Sequence, residues 1–138
     1  MSVSDELNAI LQLRLSPTYQ AAELIRQQIG ALEMAMYPQA SVQYAGIRLM
    51  IGTWETIAIR VLANNSLKVP FYQNNPVNYM WVRLFPGIKF IRGGFRIRSR
   101  SFYASNFQKL NTVYMTWLNA QPPMYRTAAL EGINAQFG

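Results

Sequence analysis

The chain has no cysteine and no histidine among its 138 residues, and its single aspartate is Asp5. Without cysteine there is no disulfide framework and no thiolate nucleophile, and the redox compartment stays open. Without histidine the Ser–His and Cys–His nucleophile pairs are excluded, together with zinc sites built on those ligands. Carboxylates are almost as scarce: Asp5, Glu6, Glu23, Glu33, Glu55 and Glu131 are all there are. Asp5, Glu6, Glu23 and Glu33 fall on predicted helices and read as solvated helix surface, while Glu55 and Glu131 stand alone. General acid–base chemistry needs a tunable group, so the expectation is a protein that is not an enzyme and takes no cofactor or metal. Gly93-Gly94 lacks the GxGxxG or GxxxxGK[ST] context of a phosphate loop.

Long apolar runs are missing too. No window approaches the 18 or so uninterrupted apolar residues of a membrane span, so no integral span is expected. The start "MSVSDELNAILQLRL" carries acids where a secretory signal needs cations, and no signal is read there.

What remains is apolar, amide-rich and cationic. Hydrophobic residues make up 51% of the chain and charged ones 14%, against roughly 25% charged in an average domain. Ten Asn and ten Gln supply much of the polarity. A surface so poor in charge is better covered by neighbours than left in water, which points to a subunit of a larger assembly. The length suits one domain, residues 1–138.

Of thirteen cations ten are Arg, and ten of the thirteen lie in the acid-free interval between Glu55 and Glu131. Arginine's planar fork suits phosphate, carboxylate and aromatic partners. The densest run is "KFIRGGFRIRSRSFY", Lys89 to Tyr103. Gly-Gly between two periodic runs predicts a two-residue β-hairpin turn. Lys89, Arg96, Arg98 and Arg100 would then share one face, with Arg92 at the tip, and Lys89 would oppose Arg98. Like charges in a directly opposed pair are destabilising, so this ribbon wants an anion outside the chain. Lys89, Arg92, Arg96, Arg98 and Arg100 are therefore the candidate anion- or partner-binding residues, and Phe95, Phe102 and Tyr103 the candidate stacking residues.

Ser4 with Asp5 and Glu6 opens a first predicted helix to Arg14, and Ser16-Pro17 opens a second that runs to about Met36. Beyond Pro38 the texture is β-branched and aromatic. Ile47, Leu49, Ile51 and then Ile57, Ile59, Val61 alternate as strands do, although a helix through Trp54 to Leu62 also fits. "LKVPFY" and Tyr79 to Phe85 read as further strands, the former confined to an edge by its proline. Helix returns at Ser105 and ends at Gln121-Pro122-Pro123, with a last short helix from Tyr125 to about Gln136. The expected fold is therefore α+β: N-terminal helices, a central antiparallel sheet with a Gly-Gly hairpin, and C-terminal helices.

The run "IGALEMAMYPQ" resembles the helix-to-"IYP" entry of RWD and inactive ubiquitin-conjugating-like domains. It covers about ten residues, the later "YP…P" pattern is not matched around Tyr72 to Pro76, and no site residue is carried over.

Two functions are expected from these features. The first is a non-enzymatic structural subunit, such as a phage or virus capsid, neck or tail component, docking through the cationic ribbon to other protein subunits. The second is a DNA- or RNA-binding domain that uses the same arginines on phosphate.

Overall fold

A computed structural model describes residues 2–29, 41–94, 102–124 and 126. Six helices follow one another among them: α1 (Val3–Leu15), α2 (Pro17–Ile29), α3 (Val42–Leu62), α4 (Asn65–Asn74), α5 (Val77–Gly94) and α6 (Ser105–Asn119). No strand occurs among the described residues. This overturns the expected α+β fold and its central sheet, and it parts the chain from the α+β layout of RWD domains.

The reason is clearest in α3. A strand would put Ile47, Leu49 and Ile51 on one face and Ile57, Ile59 and Val61 on another. Instead Leu49 is 37% and Ile59 52% exposed, while Ile47, Met50, Ile51, Trp54, Ile57, Ala58 and Val61 are fully buried. That spacing of three and four is a helical stripe, and it takes Met50, Trp54 and Ala58 inward where alternation would leave them out. Each large side chain buried this way contributes about 1.5–3 kcal/mol. The helix penalty of a β-branched residue is at most about 0.7 kcal/mol, so burial decides.

Prolines misled in the same way. α4 contains Pro70 and α5 contains Pro86, and each forfeits an intrahelical hydrogen bond. In α4 the loss is contained at both ends. Asn64 caps the start by accepting from Ser66 N at 3.0 Å, and the amides of Asn74 and Asn75 donate to the carbonyls of Pro70 at 2.8 Å and Phe71 at 3.0 Å. In α5 the offsetting term is the buried series Val77, Met80, Leu84, Ile88 and Ile91.

The N-terminal helices form near their expected positions. α1 is capped by Ser2, whose Oγ accepts from Asp5 N at 3.1 Å, two residues before the predicted start. Ser16 caps α2 by accepting from Tyr19 N at 3.2 Å, with Pro17 in the first helical position. The continuation of α2 to Met36 and the last helix from Tyr125 lie outside the described residues, apart from Arg126.

α3 is the centre of the domain and packs against each of the other helices. Trp54, at its middle, stacks on Phe107 of α6 with ring centroids 5.5 Å apart and meets Phe71 of α4 edge-on at 6.4 Å. Its indole N–H donates to the Tyr19 hydroxyl of α2 at 3.0 Å. One side chain thus ties three helices to α3.

A candidate anion-binding corner

The cationic run begins on a helix, not on a hairpin. Residues 88–94 are the last turns of α5, so the predicted Gly93-Gly94 turn and the opposition of Lys89 to Arg98 do not form. Phe95, Arg96, Arg98 and Arg100 lie outside the described residues. Lys89, Arg92, Phe102 and Tyr103 are described, and they flank the point where α5 ends and the chain leads into α6.

Lys89 and Arg92 stand at i and i+3 on α5, neighbours on the helix surface. Lys89 is exposed, while Arg92 is half-buried and donates from Nε to the Tyr103 carbonyl at 2.8 Å. Arg48 of α3 hydrogen-bonds the Tyr103 side chain; burial pushes the Tyr103 phenol up, and the Arg48 cation pulls it down without reversing the shift. Tyr103 is therefore held from both sides by arginines. Next to it Phe102 is 74% exposed. Edge-to-face packing of Tyr44 on Phe90, at 6.4 Å, brings the start of α3 to the end of α5.

The chain then turns sharply. Ala104 has φ 61°, in the left-handed region, yet it is almost fully buried. A non-glycine residue there costs roughly 1–2 kcal/mol, and the α6 start that it positions offsets this. α6 has no side-chain cap of its own and no acid in its first turn. Glu55 of α3 supplies both, accepting from Asn106 N at 2.9 Å and Phe107 N at 3.1 Å. The Glu55 carboxylate is thus committed to the positive end of a helix.

Two of the other described acids are also engaged, while Asp5 is exposed in the first turn of α1. Glu6 meets Arg60 at 2.8 Å, and Glu23 meets Arg26 at 2.8 Å. These two are not the plain solvated surface expected from sequence. Arg26 is only 5% exposed. Burial works against its charge, but the Glu23 carboxylate and the Tyr79 hydroxyl outweigh it and hold the guanidinium pKa above its ordinary value. Glu33 lies outside the described residues.

Sequence reasoning passed over Arg48, the capping role of Glu55 and the buried Arg26–Glu23 pair. A signal existed for the last: Arg26 is four residues beyond Ala22 and seven beyond Tyr19, in phase with the buried stripe of α2. An arginine inside an apolar stripe asks for a partner.

No group of three or more His, Cys, Asp or Glu side chains among the described residues is placed to hold a metal ion. No described helix is long and apolar enough to cross a membrane. Compared with known proteins, the chain matches no family model, no curated protein and no solved structure.

Proposed function

We propose that the chain is a non-enzymatic structural subunit of a larger assembly, of the kind that builds a phage or virus capsid, neck or tail, and that it docks through the corner at the end of α5 onto an acidic neighbouring subunit. The observation that carries this reading is the imbalance of charge at the corner. Arg48, Lys89 and Arg92 surround it, Arg96, Arg98 and Arg100 follow in the seven residues between Gly94 and Phe102, and Glu55 is already engaged by α6. A carboxylate-rich partner supplies what the chain itself withholds. The amide-rich, charge-poor composition supports the assembly part of the reading.

Nucleic acid is the second reading, favoured by one observation. Phe102 is 74% exposed beside this cationic stretch, and an exposed ring next to phosphate-binding arginines is the arrangement that stacks single-stranded bases.

Sedimentation of the purified chain with polyglutamate, and separately with single-stranded DNA, tests both readings. Co-sedimentation with polyglutamate that is lost on Lys89→Glu or Arg98→Glu, with the fold intact by circular dichroism, supports docking to an acidic protein. Binding confined to DNA, and weakened by Phe102→Ala, supports the second reading. Binding to neither contradicts both.

A further inference from the structure

α3 carries a second feature, an exposed stripe beside the corner that shares Arg48 and Glu55 with it and leaves Lys89 and Arg92 to the corner alone. Its exposed positions are Val42, Ala45, Arg48, Leu49, Gly52, Thr56 and Ile59. Arg48 aside, they are spaced three, four, three, four and three, which is the a/d seam of a coiled coil. Val42 is 70%, Leu49 37% and Ile59 52% exposed. Thr56 returns its hydroxyl to the Gly52 carbonyl at 3.1 Å, so its polar group is already satisfied within the helix. A Cβ added at Gly52 meets nothing within 4 Å, so the space above it is open.

We infer that this seam is the pairing face of an antiparallel homodimer, with α3 lying against α3 of a second copy. Antiparallel coiled coils stack an a position on a d position of the partner. Taking Val42, Leu49 and Thr56 as a, and Ala45, Gly52 and Ile59 as d, a single register satisfies every layer. Val42 meets Ile59 of the second copy, Leu49 meets its Gly52, and Thr56 meets its Ala45. Large residues then pair at the ends, and near the two-fold axis the one large residue, Leu49, enters the open space above glycine. Charge agrees with the same register: the flanking positions that face each other are Arg48 and Glu55 of the second copy, and the reverse. Glu55 accepts two backbone N–H groups of its own α6 and keeps lone pairs for a further donor. A parallel, in-register pair instead sets glycine on glycine and leucine on leucine, and turns Arg48 toward Thr53 of the second copy, where no acid answers it. The seam is smaller than the roughly 20–30 residues a side of a standard interface, so the dimer is reversible and depends on concentration.

Analytical ultracentrifugation of the intact chain over a concentration series tests this. The wild type is expected to show a monomer–dimer equilibrium. Leu49→Glu and Gly52→Leu each raise the dimer dissociation constant about tenfold or more. Gly52→Leu leaves the melting temperature of the monomer unchanged or higher, because a helix-interior glycine is replaced in open space. The chain has no natural cysteine, so introduced thiols report direction: a Leu49→Cys chain mixed with a Gly52→Cys chain cross-links to the mixed pair in preference to either self-pair. A wild type that stays monomeric throughout, a dimer indifferent to both seam substitutions, or a preference for self-pairs overturns the inference.

Discussion

The indole N–H of Trp54 donates to the hydroxyl of Tyr19 at 3.0 Å with both side chains buried, and this single bond joins the centre of α3 to the first turns of α2. Tyr19→Phe keeps the ring and removes the hydroxyl, leaving the buried indole N–H without its partner and taking the hydrogen bond to Arg14 with it. We expect a loss of about 1–3 kcal/mol, read as a lower urea midpoint at unchanged slope. An unaltered midpoint would show that the bond contributes nothing net.

Glu55 does for α6 what a serine or aspartate at the cap does for other helices. Glu55→Ala removes both acceptors and is expected to cost about 1–2 kcal/mol, with Glu55→Gln costing less because one oxygen remains. Hydrogen exchange at the amides of Asn106 and Phe107 should quicken selectively. Equal protection in wild type and Glu55→Ala would remove Glu55 from its capping role.

Gly46 faces α2 at close range. A Cβ built there meets Ile25 Cδ1 at 3.6 Å and Ala22 Cα at 3.7 Å, which is ordinary contact distance. Gly46→Ala should therefore fit and gain about 0.5–1 kcal/mol from the stiffer helix backbone. Gly46→Leu has no such room and should lower the melting temperature. If both substitutions destabilise, α2 and α3 lie closer than described.

Burial raises the pKa of Tyr19, Tyr72 and Tyr103 above the ordinary tyrosine value. An acid whose folded pKa lies above its unfolded one stabilises the fold fully below the unfolded value, about pH 10. That contribution is lost as pH climbs through the folded values. The share of the tyrosinate absorbance that Tyr19→Phe, Tyr72→Phe and Tyr103→Phe remove should therefore appear together with loss of helix rather than before it. The Tyr72 hydroxyl is buried with no hydrogen-bond partner among the described residues. Tyr72→Phe should accordingly be neutral or slightly stabilising at neutral pH and should widen the alkaline range. A cost comparable to that of Tyr19→Phe would contradict the difference drawn between the two.

The two ends of the described chain were legible because their signals are local. Ser16-Pro17 and the stripe Phe107, Leu110, Tyr114, Leu118 need no tertiary context to read as helix. The middle was not, because its residue types favour strands while its burial pattern favours a helix. Ile47, Leu49 and Ile51 satisfy an alternating pattern by sequence alone; only the exposure of Leu49 against the burial of Met50 and Trp54 decides the period. Pro70 and Pro86 argued for strand edges and breaks, and their cost is offset by the asparagine contacts at the ends of α4 and by the core that the buried series of α5 joins. The candidate site was legible in composition and not in geometry. Arg92 does meet Tyr103, but from a helix end, and further contacts that organise the corner come from Arg48 and Glu55, some fifty residues away in the sequence.

Salt dependence of binding to a polyanion tests the central claim most directly. If the corner at the end of α5 docks onto fixed negative charge, log affinity for polyglutamate or single-stranded DNA falls linearly with log salt. The double substitution Arg96→Ala, Arg98→Ala then reduces that slope by close to two cations' worth, at about 0.7–0.9 per charge on a nucleic acid. Binding that is insensitive to salt, or a slope unchanged by the double substitution, would contradict the account.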